Sequence, residues 1–211
     1  MFLEAIASVF SAIGIILTWK YFSVQKGGTM DFVELTQARK SVRRYSEQPV
    51  EDDKLDKILE AARLAPSWAN KQCWSYVVVR NKETIAEIAT KGTGVLNSWL
   101  KKAPVVIVAC GNPKESGSRN EMNYFLVDIG ISMEHIMLQA ADLDLGTCWI
   151  GWFDEKEMRR ILGIPENIKV VAFTPVGYPA DDSGLRTRLT KFLVGSAKRK
   201  PIEEIVHKER W

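Results

Sequence analysis

Histidine and cysteine, the side chains that build metal centres and disulfide frameworks, are scarce here: two histidines and three cysteines among 211 residues. Cys73, Cys110 and Cys148 are odd in number, widely spaced and without a CxxC pair. That pattern gives neither a disulfide scaffold nor a zinc site, and no metal is expected. A reducing compartment is the simpler setting. An excess of one charge is missing too: the net charge is +3, so nothing global argues for a nucleic-acid partner. There is no internal repeat and no complete dinucleotide fingerprint. Gly92-Thr93-Gly94 is the nearest glycine pair, but Asn97 holds the third glycine position and no βαβ frame surrounds it.

What is present is 46% hydrophobic residues, enough for one domain with a real core. The positive charge gathers at residues 39–44 and 198–200, two short clusters that suit a small anion better than a polymer.

The first 29 residues stand apart. The run AIASVFSAIGIILTW is apolar apart from small hydroxyls but shorter than the roughly 20 residues a spanning helix needs. Residues 2–24 reach far enough if Glu4 and Lys20 lie at the two interfaces, with Trp19, Tyr21 and Phe22 as an aromatic belt. Positive charge follows the run, so such an anchor would leave the main domain in the cytoplasm. The alternative is an upstream extension, with Met30 a natural beginning for a domain spanning 30–211; both readings stay open. Residues 25–29 read as a linker in either case.

The body alternates between helical and strand patterns. Asp31 can cap a helix running to about residue 39, with Phe32, Val33 and Leu35 as its apolar contacts. Leu55, Ile58, Leu59 and Ala62 recur at helical spacing before Pro66. Residues 76–79 and 105–109 read as buried strands. Residues 121–144 form a long helix, apolar over more than one face, which suggests a subunit contact as well as a core; His135 within it is a packed or interface residue. A short helix over 154–162 ends at Gly163, and 170–173 is the last clear strand. The basic remainder, 184–211, reads as an extended arm, with Ile202, Ile205 and Val206 packing part of it down. The class is α+β.

Four blocks could carry chemistry, and each has a plain alternative. Residues 39–44 (Arg39-Lys40-Ser41-Val42-Arg43-Arg44) offer planar guanidinium donors, a point charge and a hydroxyl to a phosphate, or are only a solvated helix end. Residues 65–74 hold Ser67, Asn70 and Gln72 to read a polar edge beside Trp68 and Trp74 to cover a ring, or form a capping loop with two core tryptophans. Residues 146–153 carry glycines where a backbone can approach a flat ligand, or make a tight turn. Lys198-Arg199-Lys200 would add an anion contact, or be a basic tail.

In this order and at these intervals, the blocks resemble the nitroreductase family. The telling pieces are Arg39-Lys40-Ser41-Val42-Arg43, Ala65-Pro66-Ser67 with Asn70-Lys71-Gln72, and Gly146-Thr147-Cys148-Trp149-Ile150-Gly151; the resemblance runs from about residue 31 to 211. It implies a central mixed or antiparallel sheet flanked by helices in an intertwined homodimer, with FMN as cofactor and NADH or NADPH as reductant. Arg39, Lys40, Ser41 and Arg43 would hold the FMN phosphate and the pyrimidine side. The loop with Pro66, Ser67, Trp68, Asn70 and Gln72 would come from the other subunit. Backbone groups around Ile150 and Gly151 would lie against the isoalloxazine, one N–H aimed near its reactive nitrogen. Arg199, with Lys198, would complete the phosphate site.

Two positions depart from the family pattern. Trp68 stands where a small residue is usual, which bears on the substrate pocket, and Cys73 where a proline is common, which bears on loop rigidity. The resemblance implies electron transfer from NAD(P)H through the flavin to nitroaromatics, quinones or activated alkenes by a ping-pong route, with no side-chain acid or base required. A reductive dehalogenase of the iodotyrosine deiodinase kind is the alternative enzyme, although no long insertion after Asn81 supplies a lid. A non-enzymatic flavin-binding or membrane-tethered interaction module is the alternative outside catalysis.

Overall fold

The computed structural model describes residues 31–180 and 199–211. The N-terminal apolar run, its linker and Lys198 lie outside these residues. Helix α1 (Phe32–Ala38) starts in a reciprocal capping box: the Asp31 carboxylate accepts the Glu34 N–H at 2.9 Å and the Glu34 carboxylate accepts the Asp31 N–H at 3.3 Å. α1 lies against the long helix described below, yet it buries none of its own residues. Phe32 and Val33, expected to supply apolar contacts, are 69% and 62% exposed. The periodicity located the helix correctly, but the surface covering its apolar side is not supplied by the described part of the chain.

Helix α2 (Asp52–Arg63) carries Asp52 and Asp53 in its first turn, where the helix dipole favours them, and buries Leu55, Ile58 and Ala62. It stops just before Pro66, which disfavours helical backbone at the residue preceding it. Strand β1 (Trp74–Val79) leads to the short helix α3 (Lys82–Glu87), a π turn (Ile88–Gly92) and a kinked 3₁₀ segment (Val95–Lys102). Strand β2 (Val105–Gly111) is buried at every residue. A small hairpin of β3 (Ser118–Arg119) and β4 (Met122–Asn123) follows. Asn120 and Glu121 turn it with φ of 51° and 63°, the two left-handed positions of a type I′ turn. This hairpin delays the long helix: α4 is Tyr124–Asp142, because Met122 and Asn123 pair with Arg119 and Ser118 instead of coiling. Strand β5 (Gly146–Thr147), helix α5 (Glu155–Leu162) and strand β6 (Lys169–Gly177) complete the domain. Gly163 closes α5 at φ 65°, ψ 29°, the left-handed cap that glycine adopts without strain.

The main sheet has the order β1-β2-β6-β5, with every neighbour antiparallel. A single parallel bridge from Ser41 to Thr147 extends it past β5 and makes it mixed. Its two faces can be read from β2. Val105, Ile107 and Ala109 pack with α2 and α4, while Val106, Val108 and Cys110 pack toward α3, the π turn and α5. Successive side chains on a strand point to opposite faces, so the unbroken apolar run of β2 marks a strand covered on both sides. The result is a sheet between two helical layers, the α+β arrangement expected. Among the described residues, no helix is long and apolar enough to cross a membrane.

Candidate functional site

The sheet edge at β5 brings two of the four blocks together. The Val42 N–H donates to the Thr147 carbonyl at 2.8 Å, next to the Ser41–Thr147 bridge. The approach is close because residue 146 is glycine. A Cβ there would lie 2.6, 2.7 and 2.8 Å from Val42 Cγ2, Cβ and Cγ1. Charges of the basic block also bear on buried Cys148. Its thiol is pushed up by burial, against the opposing pull of Arg43, a hydrogen bond with Ser41 and the charge of Arg39. Beside them lies a cleft of about 280 Å³, lined among others by Arg39, Lys40, Asp144, Gly146 and Thr147.

Downstream of β5, the Ile150 backbone is already committed. Its N–H donates to the Phe173 carbonyl at 2.9 Å and its carbonyl accepts the Phe173 N–H at 3.1 Å. Its side chain is buried in the core. The Ile150 N–H is therefore not free to reach a ligand. Gly151 is exposed, its N–H has no acceptor among the described residues, and a Cβ there would meet only the Trp149 indole nitrogen at 3.6 Å. Of the pair Ile150 and Gly151, the glycine has the accessible donor.

The 66–72 loop has a different location. Ala69, Asn70 and Gln72 hold φ of 46°, 55° and 50°; asparagine tolerates this region, whereas it costs about 1–2 kcal/mol at Ala69 and at Gln72. Cross-bonds hold that shape. Ser67 Oγ accepts the Gln72 N–H at 2.9 Å, and Gln72 Nε2 donates to Asn70 Oδ1 at 3.2 Å. The Trp68 N–H donates to Asp128 Oδ1 at 2.7 Å, and the Trp68 ring stacks on Tyr124 at 5.9 Å between centroids. Pro66 at its start is exposed. The loop therefore sits at the N-terminal end of α4, whereas the cleft with Arg39 and Lys40 touches Ala141 near its C-terminal end. Residues 128 and 141 of one helix are about 20 Å apart at 1.5 Å per residue. A single copy does not bring this loop to the basic block.

Arg199 is exposed at the start of the C-terminal segment, which makes one 3₁₀ turn at Ile202–Glu204. Ile202, Ile205 and Val206 are all exposed; contrary to expectation, they do not pack against the described part of their own chain. His135 is packed as expected, its Nδ1 lying 3.0 Å from the Ala61 carbonyl of α2. Among the described residues, no group of histidine, cysteine and acid side chains could hold a metal.

Two participants escaped sequence reasoning: Asp128 is one acid on an apolar helical face, and Tyr124 reads as part of the helix pattern. The one available signal was the acid itself, in register with Phe125, Ile129 and Ser132 on the face that proves to be buried.

The sequence profile of the Nitroreductase family matches residues 36–93 and 90–178. A protein of Archaeoglobus fulgidus, provisionally named NADH dehydrogenase/NAD(P)H nitroreductase, is 33% identical over 183 residues, covering 85% of this chain and 98% of its own. The FMN reductase [NAD(P)H] of Bacillus subtilis is 26% identical over 189 residues, covering 82% of this chain and 71% of its own. The crystal structure of a nitroreductase family protein from Clostridium novyi superposes with a TM-score of 0.69 at 38% identity, covering 72% of this chain and 87% of that one. A two-part profile match spanning most of the domain, joined to this fold, makes the chain a member of the nitroreductase family.

Proposed function

We propose that the protein is an FMN-dependent oxidoreductase that takes electrons from NADH or NADPH and delivers them to small electron-poor acceptors. Nitroaromatics, quinones and activated alkenes are the acceptor classes, and reductant and acceptor use one site in turn, in ping-pong fashion. The observation that carries this reading is the joining of the basic block to the glycine turn by the Ser41–Thr147 bridge and the Val42–Thr147 hydrogen bond. The donor set fits the cofactor. Arg39, Lys40 and Arg43 supply positive charge and Ser41 a hydroxyl for a phosphate dianion, with Arg199 joining from the arm. Gly151 offers an open backbone N–H toward a flat ring. A bound FMN supplies the hydride chemistry; the chain supplies position, water exclusion and fixed charge.

The working unit in this reading is a homodimer. The roughly 20 Å between loop and cleft along α4 supports a site in which Pro66, Ser67, Trp68, Asn70 and Gln72 cover the flavin held by the partner copy. The exposed apolar residues of α1 and of the C-terminal segment are what such an intertwined pair would bury. The run at residues 1–29 is read as a membrane anchor or an upstream extension.

Reconstitution tests the reading. Apoprotein mixed with FMN and passed over a sizing column is expected to carry one flavin per chain in a species of twice the chain mass. A flavin-free monomer would refute it. A halotyrosine that perturbs the bound flavin spectrum would move the substrate class to reductive dehalogenation.

A further inference from the structure

Asp128 is 1% exposed on a helix whose other buried residues include Phe125, Ile129, Met133 and Ile136. An acid at such a position costs stability unless its oxygens are satisfied. Here they are satisfied by three donors, all from loops. The Trp68 N–H donates to Oδ1 at 2.7 Å, Ser116 Oγ–H to Oδ2 at 3.0 Å, and the Cys73 thiol to Oδ2 at 3.6 Å. Cys73 and Trp68 flank the strained turn that contains Ala69, Asn70 and Gln72. Ser116 begins the bend in which Gly117 lies beneath the Trp68 indole. A Cβ on Gly117 would come within 2.6–2.7 Å of three atoms of the indole's six-membered ring. The ring also stacks on Tyr124 at 23° between planes. One carboxylate thus ties both ends of the loop to the bend that seats its tryptophan.

We propose that Asp128 is a positioning residue: it fixes the 66–72 loop, with Trp68 laid back on Gly117 and Tyr124, in the shape that covers the flavin of the partner copy. This rests on the reading of the loop as that cover. The bulky Trp68 is thereby folded against its own subunit. Cys73, where a proline would stiffen the loop through its ring, contributes a hydrogen bond to the same carboxylate instead.

The test is FMN release from reconstituted holoprotein, followed by recovery of flavin fluorescence after dilution, beside the unfolding midpoint of each apoprotein. Asp128→Ala removes all three acceptor contacts and should release FMN at least about tenfold faster than wild type. Asp128→Asn keeps an oxygen for the Trp68 N–H and should fall between the two. Ser132→Ala is the control. Ser132 bonds the Tyr76 hydroxyl one turn along the same helix, so its loss should lower the midpoint without changing release. Gly117→Ala leaves the carboxylate alone, pushes on the indole, and should also accelerate release.

Should Asp128→Ala fail to fold, Asp128→Asn and Gly117→Ala decide the matter in the same assay. Wild-type release rates in the Asp128 variants, or equal acceleration in Ser132→Ala, would overturn this inference alone. A wild-type protein that takes up no FMN would overturn both it and the proposed function.

Discussion

Gly146→Ala probes the junction on which the candidate site is built. The added Cβ would lie 2.6–2.8 Å from three carbon atoms of Val42, about an ångström inside normal carbon–carbon separation. Val42 is short and β-branched, and its Cβ is among the atoms touched, so no rotamer relieves the contact. The backbones of β5 and the 41–43 segment must move apart, which strains the Val42–Thr147 hydrogen bond and the Ser41–Thr147 bridge. Overpacking of this kind costs about 1–3 kcal/mol. It should therefore lower the urea midpoint by the corresponding amount. Because Ser41 and Arg43 ride on the displaced segment, FMN affinity should fall by about tenfold for each 1.4 kcal/mol of lost contact. Adding Val42→Ala removes two of the three clashing carbons and should recover part of both losses. A Gly146→Ala protein with unchanged midpoint and unchanged FMN affinity would refute the reasoning.

Other consequences can be checked in parallel. Arg39→Ala should weaken FMN binding by a factor on the order of tens, through loss of a charge-assisted phosphate contact; fluorescence titration reads it. Mixing Arg39→Ala subunits with Ser67→Ala/Asn70→Ala subunits should restore about a quarter of wild-type activity, since each mixed two-fold dimer regains one intact site; sites built within one chain would give no recovery. Burial pushes the Cys110 thiol up to about 11, and burial together with the Asp128 charge pushes the Cys73 thiol up to about 11. In the unfolded chain both ionise near about 8.5. Their contribution to stability is thus complete below that pH and lost as pH rises toward about 11. The urea midpoint should decline over that window, less steeply in Cys110→Ala.

Much of this architecture was legible in the sequence because periodicity and caps carry it. Asp31, Leu55 with Ile58 and Ala62, and Gly163 each marked a helix that is present. Strand β6 ran longer than its β-branched core suggested, since Thr174 and Pro175 still pair with Ile107 and Val106 of β2. The α3 helix and the turns over 88–102 were missed: they are short, and their shape follows from packing, as where Gly92 leaves room for Met158. In the site, the residue types pointed to a phosphate and a flat ring. Their spacing along the chain could not tell that Ile150 spends its N–H on Phe173 while the Gly151 N–H stays open among the described residues. Nor could it show that the 66–72 loop lies at the opposite end of α4 from the basic block. Both facts depend on tertiary pairing.

The central claim is that this fold holds FMN where a nicotinamide can reduce it. Anaerobic titration of the reconstituted protein with NADH and then NADPH, followed by flavin absorbance, tests it most directly. The account predicts stoichiometric bleaching of the flavin by at least one of the two donors, followed by reoxidation when a quinone or nitroaromatic is added. A protein that binds FMN yet leaves it oxidised in the presence of both donors would contradict it.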